Sequence, residues 1–175
     1  MLHLVSDRLE SPLPTETDFD PFSGDLDAQH AWRVFGNLSL HEAYAKFCKL
    51  PEVHQEDFMF MGCRAFHYYF PVVEEYLRNA QATDQWDDCS ADILGSCVAA
   101  QFDWKGAALS EPLRQRIRSL CDFVLENVER LALSSEVQER VRASWRKVSD
   151  KLEKKTAEPG ATDNPDDAQR LREDH

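Results

Sequence analysis

The sequence is short of glycine, of basic residues and of long apolar runs, and each shortage removes a class of function. Six glycines are spread through 175 residues. None falls in a GxGxxG, Walker A or GxSxG arrangement, so the phosphate cradles and nucleophile elbows of dehydrogenases, kinases and serine hydrolases have nothing to build them. With 20 lysines and arginines against 32 acids, a net charge of −12, there is no surplus cation to displace phosphate counterions, which argues against general binding to DNA or RNA. No apolar run reaches the roughly 18 residues a transmembrane helix needs. The segment Met1 to Glu10 carries Asp7, Arg8 and Glu10 where a signal peptide has a charged start and then an apolar stretch, so the expected location is the cytoplasm. The five cysteines, Cys48, Cys63, Cys89, Cys97 and Cys121, are odd in number and contain no CxxC. They match neither a disulfide framework nor a zinc pattern and are expected to be small, buried, reduced thiols, with no metal and no cofactor implied.

Charge divides the chain. Residues 1–27 hold seven acids, one base and three prolines, with no sustained apolar period, and read as a flexible acidic arm. Residues 156–175 hold six acids and two bases and read as a disordered acidic tail. Between them, residues 28–155 are long enough for one domain with one core, and carry nearly balanced charge.

Within that domain helix signals follow one another with almost no strand signal. Asp27 is placed to cap a helix from Ala28 to Phe35 that Gly36 stops. Ser39 and Glu42 form a capping box ahead of Leu40, Ala43, Tyr44 and Phe47 at helical spacing. Pro51 suits the first turn of a helix running to Met61 and stopped by Gly62. From Cys63 the period continues through Phe66, Tyr69, Phe70, Val73 and Leu77, with a kink or break expected where Pro71 interrupts it. Ser90 is a candidate cap for a helix through Ile93, Leu94, Cys97, Val98 and Phe102, weakened by Gly95. Ser110, Glu111 and Pro112 open a helix with the stripe Leu113, Ile117, Leu120, Val124 and Val128. Ser135 and Gln138 suit a second capping box ahead of Val137, Val141, Trp145, Val148 and Leu152, and the last two helices are expected to pack antiparallel. The fold class is all-α, a single bundle of about six helices.

Function-bearing residues concentrate between Gln55 and Leu77. Seven of the eighteen aromatics lie there: Phe58, Phe60, Phe66, Tyr68, Tyr69, Phe70 and Tyr76. Two consecutive helices wrapping these rings into the core account for most of them. Residues one or two apart do not share a helix face, however, so Phe60, Tyr68 and Tyr69 cannot all point with Phe66 and Phe70, and aromatic surface is expected to remain for a partner.

The run Gln55-Glu56-Asp57-Phe58-Met59-Phe60-Met61-Gly62, followed by Ala65-Phe66 and Tyr68-Tyr69-Phe70-Pro71, resembles a motif of small uncharacterised bacterial proteins, some of them immunity-protein-like. The likeness spans residues 38–78. It implies a small helical bacterial domain and carries no catalytic residues; residues 82–155 have no counterpart in it.

Three further patterns bear on chemistry. His54, Glu56, Asp57, Cys63 and His67 are all competent metal ligands, and Cys63 and His67 share a helix face, but no HExxH or CxxC frames them. Pairing of Glu56 or Asp57 with Arg64 and an interhelical role for His67 explain the same residues. Asp88 and Asp92 are one turn apart and would raise each other's pKa for acid–base work, although acids at a helix start need no such role. Finally, residues 105–155 carry twelve bases against eight acids, with Arg114 and Arg118 on one face and Lys147, Lys151 and Lys154 on another. This basic strip reads as a solvated face balanced by neighbouring acids.

These features favour a protein-binding module, in its most specific form an immunity-type bacterial protein that neutralises a cognate toxin by direct binding, the acidity steering it onto a basic partner. The candidate binding residues are Glu56, Asp57, Phe60, Arg64, His67, Tyr68 and Tyr69. The alternative is a small-molecule or metal-dependent enzyme on a helical bundle with Glu56, Asp57 and His67 at a pocket, and a homodimer through leftover aromatic surface is a third reading.

Overall fold

Asp25 opens the first long helix by accepting hydrogen bonds on Oδ1 from the backbone N–H groups of Asp27 (2.9 Å) and Ala28 (3.1 Å). The cap is therefore two residues earlier than the Asp27 expected from the apolar pattern, and Leu26 and Asp27 become the first turn. In the computed structural model, which describes residues 12–104 and 109–154, ten helical segments follow one another and no strand occurs among the described residues. Six are long: α2 (Leu26–Phe35), α3 (Leu40–Phe47), α6 (Cys63–Asn79), α7 (Ala91–Ala100), α8 (Glu111–Glu126) and α10 (Ser135–Lys154). Four are single turns: α1 (Glu16–Phe19), α4 (Pro51–His54), α5 (Asp57–Phe60) and α9 (Val128–Leu131). The all-α reading and the count of about six substantial helices both stand. No described helix is long and apolar enough to cross a membrane.

Part of the expected acidic arm belongs to the fold. Thr15 and Asp18 cap α1 reciprocally, Thr15 N and Oγ1 both reaching Asp18 Oδ2 at 2.7 and 2.8 Å. The turn places Phe19, fully buried, against the rings of Trp32 (5.4 Å) and Tyr69 (5.8 Å). Gly62 N donates to Phe19 O at 2.9 Å, and a β-carbon at position 62 would stand 2.3 Å from Asp18 O. Gly62 is thus a close-approach position for α1 as well as a helix stop. A single turn is too short to register as a period, so one aromatic and one glycine hold a segment that composition alone marks as loose. Residues 1–11 and the expected tail at 156–175 lie outside the described residues.

The helix expected from Pro51 to Met61 is two turns instead. Gln101, buried to 1 % exposure, donates from Nε2 to the carbonyls of Phe58, Met59 and Met61 at 2.9 to 3.1 Å, and Cys97 Sγ reaches Gln55 O at 3.3 Å. Side chains from α7 and from Gln101 just after it take up carbonyls that a continuous helix would satisfy by itself, and so the break is stable. At Pro71 the reverse occurs. Helix α6 runs unbroken from Cys63 to Asn79 because Phe66, Tyr69, Phe70, Val72, Val73 and Leu77 are all buried along it, and that packing outweighs the roughly 3 kcal/mol an interior proline costs.

One continuous core runs from Phe19 to Leu152. Helix α10 lies chiefly on α7 and also on α8, α3 on α6, and α2 on α5, while α5 rests on α7. Helix α10 begins at Ser135, so the box expected from Ser135 to Gln138 is displaced: Gln138 N bonds Ser134 O at 2.9 Å and Gln138 Nε2 reaches back to Ala132 O at 3.0 Å. Ser90 does precede α7, but in the left-handed region at φ 53° and without a side-chain capping bond.

Candidate functional site

The sequence-predicted residues part company in three dimensions. Tyr69 is fully buried, its hydroxyl donating toward Phe35 O (2.6 Å) and Leu38 O (2.9 Å). It ties α6 to the end of α2 and presents nothing to a partner, so its place among the binding residues is corrected. Tyr68 is half-buried with its ring 4.8 Å from that of Tyr69. Arg64 is exposed and pairs with Asp18 across 3.3 Å, not with Glu56 or Asp57. His67 is exposed on α6. Glu56, Asp57 and Phe60, in contrast, line a single cleft of about 180 Å³ together with Asp27, His30 and Val53.

Asp57 organises that cleft. Its residue exposure is 6 %, and its two carboxylate oxygens face two imidazoles: Oδ2 lies 3.3 Å from His54 Nδ1 and Oδ1 lies 3.7 Å from His30 Nε2. His54 packs its ring edge against Phe35 at 5.9 Å, which holds the imidazole toward the acid. Burial pushes the Asp57 carboxyl above its ordinary value, against the pull of His30, His54 and the more distant Lys46. The outcome follows from desolvation exceeding attraction to imidazoles that carry charge only when protonated. Lys46 itself donates to Val34 O at 2.8 Å.

His30, Asp27 and Val53 escaped the sequence reading. A signal existed, since Asp27 and His30 are three apart on a recognised helix. What the sequence could not show is that α2 lies against α5, which brings His30 to an acid 27 positions away.

The cleft has acid, base and apolar walls, yet its volume falls below the roughly 300 to 1,000 Å³ usual for small-molecule sites. Among the described residues no group of three or more His, Cys, Asp and Glu side chains is arranged to hold a metal ion. His54, Cys63 and His67 do not converge into one.

A second cleft, of about 380 Å³, lies between α7 and α10 and is lined by Asp92, Ser96, Arg140, Ala143, Ser144 and Lys147. Asp88 lies beside Asp92, though not by the helical spacing expected: Asp88 precedes α7, and Cys89 and Ser90 between them turn through positive φ. Burial first, and then Asp92, raises the Asp88 carboxyl. Arg140 spans both, Nε to Asp92 Oδ2 at 3.1 Å and Nη2 to Asp88 Oδ2 at 3.6 Å, so the pair serves as an anchorage for α10. The basic strip is likewise taken up in part by the fold. Arg114 is buried, donating to Leu152 O at 2.8 Å, and does not share an open face with Arg118. Arg116 pairs with Glu74, Arg142 with Glu139 and Lys151 with Asp103.

Cys89, Cys97 and Cys121 are buried and reduced, and burial raises each thiol, to about 12 for Cys97 and about 11 for Cys121. Such thiols are inert. Cys63 is half-buried and Cys48 exposed, which corrects the expectation that all five would be hidden. No family model, no curated protein and no solved structure was found to match this chain.

Proposed function

We propose that this chain is a protein-binding module acting by contact with a protein partner. The observation that carries this reading is the set of large apolar side chains left in solvent, Phe22 at 69 %, Leu26 at 75 % and Val53 at 59 % exposure, of which Val53 lines the cleft with Asp27, Glu56 and Asp57. Apolar anchors beside same-sign charge are what an interface needs for affinity and for steering. Acids outnumber bases over this part of the chain, residues 12–104 holding sixteen acids and five bases. In its specific form the module is an immunity-type protein that neutralises a cognate toxin by covering it. The likeness of the Gln55 to Pro71 motif to immunity-like bacterial proteins supports that form, and the partner would be basic.

Affinity capture with the full chain, followed by light scattering of the recovered complex, tests the reading. A stoichiometric complex with one protein is the expected result; a chain that recovers no partner from its own host cells counts against it.

The alternative enzyme reading draws on one observation, the Asp57 carboxyl held between His30 and His54. Its cleft is small for a substrate, and turnover screening of an Asp57→Asn variant against the parent would decide it. Any activity abolished by that change would favour the enzyme.

A further inference from the structure

The two imidazoles that face Asp57 are held differently. His54 lies three residues away on the same stretch of chain, its side chain 13 % exposed, and its Nδ1 stands 3.3 Å from Asp57 Oδ2, within hydrogen-bond reach. His30 comes from α2, has a side chain 56 % exposed, and places Nε2 3.7 Å from Oδ1. That separation is too long for a hydrogen bond and short enough for an ion pair. The His30 contact therefore depends on charge: a neutral ring at that distance gains little from the carboxylate, whereas an imidazolium is drawn to it. It also joins two elements, since α2 lies on α5 and His30 and Asp57 both line the cleft with Val53 and Phe60.

The remaining charged groups about the contact are these. On α2, Asp25 caps the helix, Asp27 stands three residues before His30 and lines the cleft, and the exposed Arg33 stands three residues after it. On α1, which also packs against α2, Glu16 is exposed and Asp18 pairs with Arg64, while Asp20 just beyond accepts from Gly24 N, Asp25 N and Gln29 Nε2. Glu52 is exposed on α4, and Glu56 lines the cleft beside Asp57. Lys46 of α3 acts on Asp57 from farther off, its Nζ donating to Val34 O at 2.8 Å. The thiol of Cys97, on α7 behind α5, is buried and uncharged. Among the described residues, the imidazoles of His30 and His54 are the only cationic groups within ion-pair reach of Asp57.

We propose that His30 is a pH-operated latch: in mildly acidic solution its imidazolium closes on Asp57 and fastens α2 to α5 at the cleft, and near pH 8 the neutral ring lets go. The latch goes beyond the protein-binding reading and does not depend on it. Its range is bounded above by the ordinary imidazole range, about 6.5. The lower bound is the Asp57 carboxyl, which burial pushes above 3.8 and which His30, foremost among its attractions, pulls back. The charged pair contributes stability inside that range. That contribution is lost as pH rises through the imidazole titration, and lost again as pH falls through that of the carboxyl.

The test is amide exchange of the full chain at pH 5.5 and pH 8, each rate divided by its intrinsic value, for the parent, His30→Gln, Asp57→Asn and the double variant. His30 is exposed, so His30→Gln is expected to fold as the parent does. At pH 5.5 it should lower the protection of amides in residues 28–35 and 57–61 about threefold, the scale of a half-exposed ion pair. At pH 8 it should leave them unchanged. On the Asp57→Asn background the same substitution should have no effect at either pH. The inference is overturned if His30→Gln lowers protection equally at both pH values, which would make the contact a structural one, or if it changes nothing at pH 5.5. It is overturned as well if the loss persists on the Asp57→Asn background, which would assign the partner to Asp27 or Glu56. Should Asp57→Asn not fold, the comparison of His30→Gln with the parent at the two pH values decides by itself.

Discussion

The indole of Trp145 occupies the space a side chain at Gly95 would need. A β-carbon built on Gly95 would stand 2.8 Å from Trp145 Nε1 and 2.6 Å from Ser144 Oγ. The same nitrogen donates to Ala91 O at 2.7 Å. Helices α7 and α10 approach at this glycine, and Trp145, fully buried, is pinned across the crossing.

Gly95→Ala is therefore expected to destabilise the protein, although alanine favours a helix over glycine by about 1 kcal/mol. Overpacking against an indole and a hydroxyl that are both held costs about 1–3 kcal/mol, so the net sign is a loss. Urea unfolding of the two proteins checks it, and a variant more stable than the parent would mean that α10 yields easily.

Gln101→Leu removes the amide that three carbonyls share. Its Nε2 carries only two protons, so the bonds to Phe58, Met59 and Met61 are divided, yet no apolar side chain can replace them. The expected loss is about 1–3 kcal/mol, with amide exchange rising first in residues 55–62. Uniform exchange across the domain would show that the α4 to α5 break does not depend on this side chain.

Tyr69→Phe keeps the ring and deletes the hydroxyl that reaches Phe35 O and Leu38 O. A loss of about 1–1.5 kcal/mol is expected, with partner binding unchanged because the residue is buried. Altered affinity at unchanged stability would return Tyr69 to the interface.

Asp57→Asn tests the buried acid. Its folded-state pKa is raised above the ordinary 3.8, so the folded chain holds that proton more tightly than the unfolded chain. The parent thus loses stability as pH rises from 3.8 through the raised value, and the full penalty is present above it. The asparagine variant lacks this penalty and should melt higher than the parent at neutral pH. The difference should shrink toward zero below the ordinary carboxyl pKa, as thermal melts at several pH values would show. A variant that melts lower at neutral pH would mean that the contacts Asp57 makes with His54 and His30 outweigh the cost of burying its charge.

Much of the fold was legible because helix formation obeys rules that reach only one turn. Ser39 and Glu42 close their box as the spacing requires, Ser39 N meeting Glu42 Oε2 at 2.8 Å, and Leu113, Ile117, Leu120 and Val124 are all buried along α8. The misreadings share a cause. Proline at 71 was judged by local propensity, and helix-to-helix packing outweighed it, whereas the helix expected across Gly95 forms. Phe19 was set aside as part of a loose arm because a four-residue helix has no period to detect.

The candidate site was legible in half. Glu56, Asp57 and Phe60 could be singled out from an acidic and aromatic run, and they do share a cleft. Arg64, His67 and Tyr68 lie on α6, which departs from that cleft at Gly62. By itself the sequence determined an all-α chain, its principal helices and its acidic balance, since these depend on composition and on neighbours up to four residues apart. Only the tertiary structure decided that His30 would reach Asp57, and that Phe22 would lie on Trp104. Contacts across 27 or more positions are set by how buried faces fill a common core.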